Sequence, residues 1–446
     1  MKRLIETIQN IWKIEDLRKR IITTLALLLI YRLGSYVCLP GIDPSQLQAL
    51  KDQTSSGVMG LLDMFSGGAF SHASVFALGI MPYISASIVV QLLGMAIPYF
   101  QRLQKEGDSG RRKLNQITRY LTVAILLLQA PSYLANLHAQ LPQSAFALRG
   151  TFFTIQSVVI LTAGTMFVMW LGEKITDRGI GNGISLIIMI GIIARLPFAF
   201  VAEFGSRIEE QGGGLVIFLV ELVMLALVIL FVILLVQGTR RIPVQYAKRI
   251  VGNKQYGGVR QYIPLKVNAA GVMPIIFAQA IMFIPIVLVG FSQSEALTGV
   301  AASLSNYTGF WYNFLFALLI VLFTYFYTAI IMNPTQMAED MKKNGGFIPG
   351  VKPGKKTVEF IDSIMSKITL PGSIFLSIIA ILPAFAMIAG VNNQFAHFYG
   401  GTSLLILVGV VLDTLQQIES HLLMRHYDGL MKSGRIKGRG GYASAM

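Results

Sequence analysis

The sequence predicts an all-α polytopic membrane protein with about ten transmembrane helices, because its composition and its apolar runs are those of a bilayer-embedded chain. Of its 446 residues, 54% are hydrophobic and only 13% are charged, whereas a soluble domain carries about 25% charged residues. The mean hydropathy is +0.62. The single cysteine, Cys38, excludes an internal disulfide, and the five scattered histidines provide no recognisable metal site.

About ten apolar runs reach the roughly 20 residues that a helix needs to cross the hydrocarbon core. Their approximate positions are residues 21–39, 74–97, 117–137, 152–171, 184–201, 215–236, 270–290, 311–332, 372–390 and 402–423. Nearly all of the 37 Lys and Arg residues precede the first run or follow an even-numbered one. Arg32 lies within the first run, and the opposite side holds only Lys51, Arg149, Arg195 and Arg207. Because positive residues stay on the side of synthesis, we expect both termini to be cytoplasmic.

The stretch around the start of the second run is interrupted. Residues 57–91 read GVMGLLDMFSGGAFSHASVFALGIMPYISASIVVQ; a short apolar piece ends at Ser66, Gly67 and Gly68, and a longer one restarts near Ala73. A bilayer tolerates broken backbone only where protein or a water-filled cavity satisfies the free N–H and C=O groups. We therefore expect a half-helix and a full span that line a cavity. By itself the first piece also fits an amphipathic helix on the external surface.

Two cytoplasmic loops are too long to be simple connections. Residues 238–268 contain seven Lys and Arg residues and no acidic residue, and residues 333–370 contain the segment GGFIPGVKPGKKT. The basic residues of both loops are compatible with contact to anionic lipid headgroups. Their length, turn residues and internal aromatics favour protruding hairpins that dock an acidic partner, such as ribosomal RNA or a soluble motor protein. GVKPGKKT departs from the phosphate-loop spacing, so we expect no nucleotide site.

Ion-coupled transport is the alternative function that the sequence leaves open. Carriers place ionisable side chains in the middle of the membrane, and the candidates for this role are Arg32, Glu221 and Asp413. Arg32 and Glu221 lie near the ends of their runs, and Asp413 also fits a carboxylate that packs between helices. A secondary transporter needs a polar site at the midplane, and the sequence offers none that we recognise. No constellation of nucleophile, base and metal indicates an enzyme.

Six blocks of sequence resemble, in order, signature segments of the bacterial SecY family of protein-translocation channels. They are FSGGAFSHASVFALGIMPYISASI, GEKITDRGIGNGISLI, RRIPVQYAKR, YIPLKVNAAGVMPIIFA, NPTQMAEDMKKNGGFIPGVKPG and GGTSLLILVGVVLD. The resemblance covers nearly the entire chain. It implies two pseudo-symmetric five-span halves, residues 21–201 and 202–423, between a cytoplasmic N-terminal segment, residues 1–20, and a cytoplasmic tail, residues 424–446. It also implies a short plug half-helix at residues 57–72.

The resemblance further implies a passive pore for unfolded polypeptides, without a cofactor or catalytic residues. The pore ring corresponds to six isoleucines, Ile80, Ile84, Ile184, Ile188, Ile276 and Ile406. The plug positions are Asp63, Phe65, Ser66, Gly67 and Gly68. β-branched side chains are stiff, and a narrow ring of them excludes water and ions by dewetting.

The family also releases apolar segments sideways into lipid through a lateral gate between the second and seventh spans. The polar residues near this seam are Ser85, Ser87, Gln91, Gln129, Asn268 and Gln279, which also fit ordinary bonding between helices. The family's partners are the SecE and SecG subunits, the SecA ATPase, the ribosome, signal-bearing polypeptides and membrane lipids, in the bacterial inner membrane. The loop positions for the motor or ribosome are Arg240, Arg241, Lys248, Arg249 and Lys352. At the position of Lys352 the family usually has Arg. Lysine keeps the positive charge but lacks the planar guanidinium with its several hydrogen-bond donors.

Overall fold

The computed structural model describes residues 12, 14–47, 63–148, 150–209, 214–246, 249–251, 254–256, 260–290 and 308–432. Over this part of the chain the fold is mainly helical, with a small three-stranded sheet and a separate pair of short strands. The helices are α1 (Glu15–Gly34), α2 (Met81–Ala96), α3 (Pro98–Lys105), α4 (Asp108–Gln140), α5 (Thr151–Arg178), α6 (Gly183–Glu209), α7 (Gly214–Gln237), α8 (Met273–Gly290), α9 (Phe310–Ile331), α10 (Pro334–Lys343), α11 (Lys355–Ile388), α12 (Asn393–Ala396) and α13 (Gly401–Lys432). The strands are β1 (Thr239–Tyr246), β2 (Arg249–Val251), β3 (Lys254–Tyr256), β4 (Arg260–Lys266) and β5 (Gly346–Phe347).

Each predicted apolar run overlaps one of the long helices. Within the described residues, seven helices are long and apolar enough to cross a membrane, and an eighth span arises if α2 and α3, bent by 103° at their junction, are counted together. The mainly helical, polytopic class is therefore confirmed. The number of ten spans stays a prediction.

The start of the second span differs from the prediction. We expected it near residue 74, but α2 begins at Met81, and residues 66–80 form turns apart from a bridge between Ser74 and Cys38. Ala73 has a φ of 44° and Gly79 a φ of 54°, values that a right-handed helix does not accommodate. The expected plug half-helix also ends earlier than residue 72, because residues 63–65 are helical and the turns follow directly. Residues 57–62 lie outside the described residues.

The chain divides into two compact units. The first unit comprises Met1–Arg195 and Val410–Met446, and the second comprises Leu196–Gly409. The division into halves at residues 201 and 202, and the pseudo-symmetry between them, stay predictions. In the first unit, α4 packs against α2 and α5, and α1 packs against α5.

A short extended pairing brings the turns into the core of the first unit. The backbone N–H of Leu39 donates to the carbonyl of Ala73 at 2.9 Å, and that of Val75 donates to Val37 at 2.9 Å. Leu39 and Ala73 belong to a buried cluster with side chains of α4 and α5. Gly164 of α5 has no room for a Cβ, which would collide with the carbonyl of Val75. The turns therefore follow the helices closely.

In the second unit, α9 packs against α8 and α11, and the two long loops meet in one sheet. Strand β1 lies between β4 and β5 and is antiparallel to both. Alternate side chains of β1, Ile242 and Val244, are buried against α11 residues such as Ile361. The predicted hairpin in the first loop is confirmed by the pairing of β1 with β4. The hairpin predicted in the second loop is wrong, because residues 333–370 hold α10, the two-residue β5 and the start of α11. The pairing of β5 with β1 was not predicted.

A buried charge cluster connects three segments of the second unit. Arg207 of α6 donates from Nε to Glu203 at 2.9 Å, and from Nη2 to Glu221 of α7 at 2.5 Å and to the carbonyl of Gly390 at 2.7 Å. The other oxygen of Glu203 accepts the backbone N–H of Asn392 at 2.7 Å. A guanidinium has several donors in a fixed fork, so one side chain bridges all three segments.

Candidate functional site

The broken segment, by which we mean residues 63–80, is bent by glycine and lies directly on α6. Gly67 and Gly68 have φ values of 66° and 92°, which are readily adopted only by glycine. A Cβ on Gly67 would lie 2.7 Å from the Cα of Gly191 in α6. Neither Gly67 nor Gly191 has a side chain that would hold the segment and α6 apart. The Ser-Gly-Gly motif therefore allows the segment both to turn and to approach α6.

Side chains from α1 and α4 satisfy backbone carbonyls that the broken helix leaves free. The Tyr31 hydroxyl donates to the carbonyl of Ser66 at 3.1 Å, and Nη1 of Arg32 donates to that of Gly67 at 2.8 Å. From α4, the Tyr133 hydroxyl donates to the carbonyl of Phe70 at 2.9 Å. These contacts meet the requirement that interrupted backbone at membrane depth be satisfied by protein.

An ion pair joins the start of the broken segment to α6. Asp63, only 2% exposed, pairs with Nη2 of Arg195. Its Oδ1 accepts the backbone N–H of Ser71 at 2.8 Å, and Arg195 also donates to the Ser71 hydroxyl at 2.9 Å. The carboxylate and the guanidinium therefore close a small network across the turn.

The charge count places Arg195 on the external side of the membrane, although it lies inside the predicted run of residues 184–201. The structure places it within α6, and its side of the membrane stays a prediction. The sequence did contain a signal that Arg195 has a partner, namely a charged residue within an apolar run. Ionisable groups in membrane spans are costly and usually have a function or a partner. Asp413, a candidate for ion coupling, is exposed in α13, where its carboxylate accepts from Gln417 at 3.2 Å. Glu221 belongs to the Arg207 cluster.

The predicted pore isoleucines lie at or near the starts of helices in both units. In the first unit, Ile80 precedes α2 and Ile84 is in its first turn, while Ile184 and Ile188 are in the first two turns of α6. In the second unit, Ile276 is in the first turn of α8 and Ile406 is in the second turn of α13. Three are buried, namely Ile80, Ile188 and Ile406. The other three are partly buried. Their grouping in one ring stays a prediction.

The predicted lateral-gate residues differ in their surroundings. Ser85 donates to the carbonyl of Met81 within its own helix at 3.1 Å. Ser87 is partly buried, whereas Gln91 and Gln129 are exposed. In the second unit, Asn268 and Gln279 are partly buried, and Oδ1 of Asn268 is buried without a hydrogen-bond partner among the described residues. Their joint role stays a prediction.

The predicted docking residues lie on or beside the small sheet of the second unit. Arg240 and Arg241 are exposed on β1, and Lys352 is exposed after β5. Arg249 begins β2, and Lys248 lies outside the described residues. Pro243 is tolerated in β1 because β5 pairs only with Gln245 and Tyr246, and so no strand requires a donor on that side of Pro243.

Comparison with known proteins identifies the family. The SecY family model matches residues 74–415. The protein translocase subunit SecY of Streptomyces scabiei is 45% identical over 436 residues, which cover 94% of this chain and 98% of that protein.

Two solved structures share the fold. One is described as the plug domain of SecY stabilising the closed state of the translocation channel; it has a TM-score of 0.58, 16% identity, and coverage of 90% of this chain and 92% of its own. The other is Sec61 in the canine ribosome-channel complex, with a TM-score of 0.53, 17% identity and coverage of 90% and 92%. With 45% identity to a translocase subunit along almost its whole length, the chain belongs to the SecY family of protein-translocation channels.

Proposed function

We propose that the chain forms the passive channel through which unfolded secretory polypeptides cross the bacterial inner membrane. The observation that carries the proposal is the broken segment, which is bent at Gly67 and Gly68 and held by side chains of three helices of the first unit. Several separate polar contacts hold this segment, so its displacement requires no helix to unfold. Such a segment is suited to close a pore and to leave it when a polypeptide enters.

In this proposal the six isoleucines form the constriction around the polypeptide. An aliphatic ring offers no strong polar contact, so it binds no particular sequence and excludes ions by dewetting. The plug, residues 57–72, closes the external side of the ring. The seam that includes Ser85 and Asn268 opens sideways, so that an apolar segment passes into lipid. Polar contacts between membrane helices contribute only about 0.6 kcal/mol on average, so a signal helix can separate the seam.

The remaining partners follow from the same proposal. SecE and SecG are the expected companion subunits, and both termini are expected on the cytoplasmic side, in accord with the charge distribution. The exposed Arg240 and Arg241 provide a basic surface for the SecA ATPase or for ribosomal RNA. A Sec61 relative of the same fold is found in a ribosome-channel complex. We expect the driving force to come from these partners, and no catalytic activity from the chain itself.

The test is a disulfide crosslink between the pore and a stalled secretory polypeptide. In a C38S background, I406C is combined with a single cysteine in the polypeptide. Cys38 is half-buried, and its removal leaves a single reactive thiol in the channel. We expect a crosslink only with SecA and ATP. The crosslinked polypeptide position should shift as the stalled chain is lengthened.

A matched variant places the cysteine on an exposed surface outside the six ring positions. F310C lies at the exposed start of α9 in the same unit, and it should give no crosslink in the C38S background. If I406C also gives none while motor and companion subunits are present and competent, the pore assignment is wrong.

A further inference from the structure

We propose that the ion pair between Asp63 and Arg195 is a latch that holds the broken segment in its closed position and must separate when the channel opens. The inference rests on the proposed function, since it names the contact that controls the plug. A solved structure of the same fold concerns a plug domain that stabilises a closed channel. In this chain the structure assigns that control to two particular side chains.

The ion pair lies where it can hold both arms of the turn. Asp63 lies before the Ser-Gly-Gly turn and Ser71 lies after it, and Arg195 contacts both side chains from α6. The Asp63 carboxylate also accepts the Ser71 backbone N–H at 2.8 Å. One guanidinium therefore fixes both arms of the turn on α6. Movement of the segment away from α6 requires the two contacts of Arg195 to break together.

The other polar contacts of the segment are weaker than the ion pair. Tyr31, Arg32 and Tyr133 each donate one hydrogen bond to a backbone carbonyl, and a single hydrogen bond contributes less than the loss of its partner costs a buried charge. The Asp63 carboxylate is 2% exposed and has Arg195 as its ionic partner. A buried charge that loses its partner is costly, so this pair is the strongest single restraint. The Arg195 side chain is 30% exposed, so water reaches this half of the pair.

Each half of the ion pair depends on the other. Without Arg195, the Asp63 carboxylate is 2% exposed and has lost its ionic partner. Without Asp63, the Arg195 guanidinium keeps only its hydrogen bond to the Ser71 hydroxyl on the segment. Because a buried charge that loses its partner is costly, removal of either charge should loosen the segment.

The experiment measures ion leak without any polypeptide. The full chain is purified from membranes with the subunits that accompany it and reconstituted into liposomes, and the release of a trapped dye or ion is followed. We compare wild type with D63N, R195Q and the double variant D63N/R195Q. We expect D63N and R195Q each to raise the leak about tenfold or more, because the buried pair is lost in both. The double variant should leak less than the product of the two single effects.

Three further variants make the result decisive. R119Q removes an ion pair with Glu173 on the surface of the same unit and should leave the leak at the wild-type level. R195K keeps the charge and should leak less than R195Q. G67V must displace the segment, because Gly67 has a φ of 66° and its Cβ would meet Gly191, so it shows that the assay detects displacement.

The outcomes separate the latch from the proposed function. If G67V leaks while D63N and R195Q remain as tight as wild type, the latch proposal is overturned. A leak in R195Q that R195K does not reduce, with a lowered melting temperature in both, indicates general loss of structure and also overturns it. Translocation of a secretory polypeptide by wild-type vesicles is measured separately. Failure there counts against the channel function, whereas the leak reports on the latch in either case.

Discussion

At the scale of single residues, glycine and arginine determine how closely segments approach each other. Gly67 has a φ of 66° and contacts Gly191 at a distance that no Cβ allows. The conformational freedom of Gly67 is evident from its sequence context, but Gly191 lies 124 positions away and belongs to an ordinary apolar run. Its role depends on which helix the turn meets, and no local pattern indicates that choice.

Arg207 should be essential for the stability of the second unit. It pairs with Glu203 and Glu221, both buried. R207Q leaves two buried carboxylates without their cation, so we expect the free energy of unfolding to fall by about 3–5 kcal/mol. Thermal and denaturant unfolding in detergent measure the change.

An exposed pair in the same unit provides the control for R207Q. Lys356 and Glu359 are both largely exposed, so K356Q should lower the stability by less than about 1 kcal/mol. Equal losses for R207Q and K356Q would contradict the structural role of the cluster.

At the scale of elements, the small sheet shows how a loop presents charge. On β1 the side chains alternate, so that Ile242 and Val244 are buried while Arg241 is exposed. The sequence predicted a hairpin in the first loop from its turns and aromatics, and the pairing of β1 with β4 confirms it. It did not predict β5, because a two-residue strand has no periodicity of its own and depends on β1 as its template.

Removal of the basic side chains of β1 should weaken motor docking without loss of the sheet. In R240A/R241A both substituted side chains are exposed, and the buried residues of β1 are unchanged. We expect SecA-driven translocation to fall about tenfold at moderate salt and the difference from wild type to shrink as salt increases, because exposed charges are screened. Translocation into vesicles at several salt concentrations measures this.

Gln261 on β4 offers a matched neutral control for this surface. It pairs with Val244 and is exposed, so Q261A should translocate like wild type at every salt concentration. A salt-independent loss in R240A/R241A, shared by Q261A, would point to damage of the sheet instead of lost docking.

At the scale of the whole molecule, the charge distribution predicts the orientation of the chain in the membrane. The charge distribution predicts that Lys352 faces the cytoplasm and that Leu148, which precedes α5, faces outward. In a C38S background, K352C should react with an impermeant maleimide only in inverted vesicles, and L148C only in intact cells with a permeabilised outer envelope. Both positions are exposed, so each thiol is available to the reagent. Labelling of the two cysteines from the same side would refute the predicted orientation.

The sequence by itself determined the membrane class, the approximate positions of the apolar helices and the family. These depend on composition, on the length of apolar runs and on local signatures, all of which act over short stretches of chain. Only the tertiary structure decided that the second helix begins at Met81, that the loops share a sheet and that Asp63 meets Arg195. The last pair joins residues 132 positions apart in a chain with 37 basic and 22 acidic side chains. Charge alone leaves many partners possible, and the packing of the helices selects one.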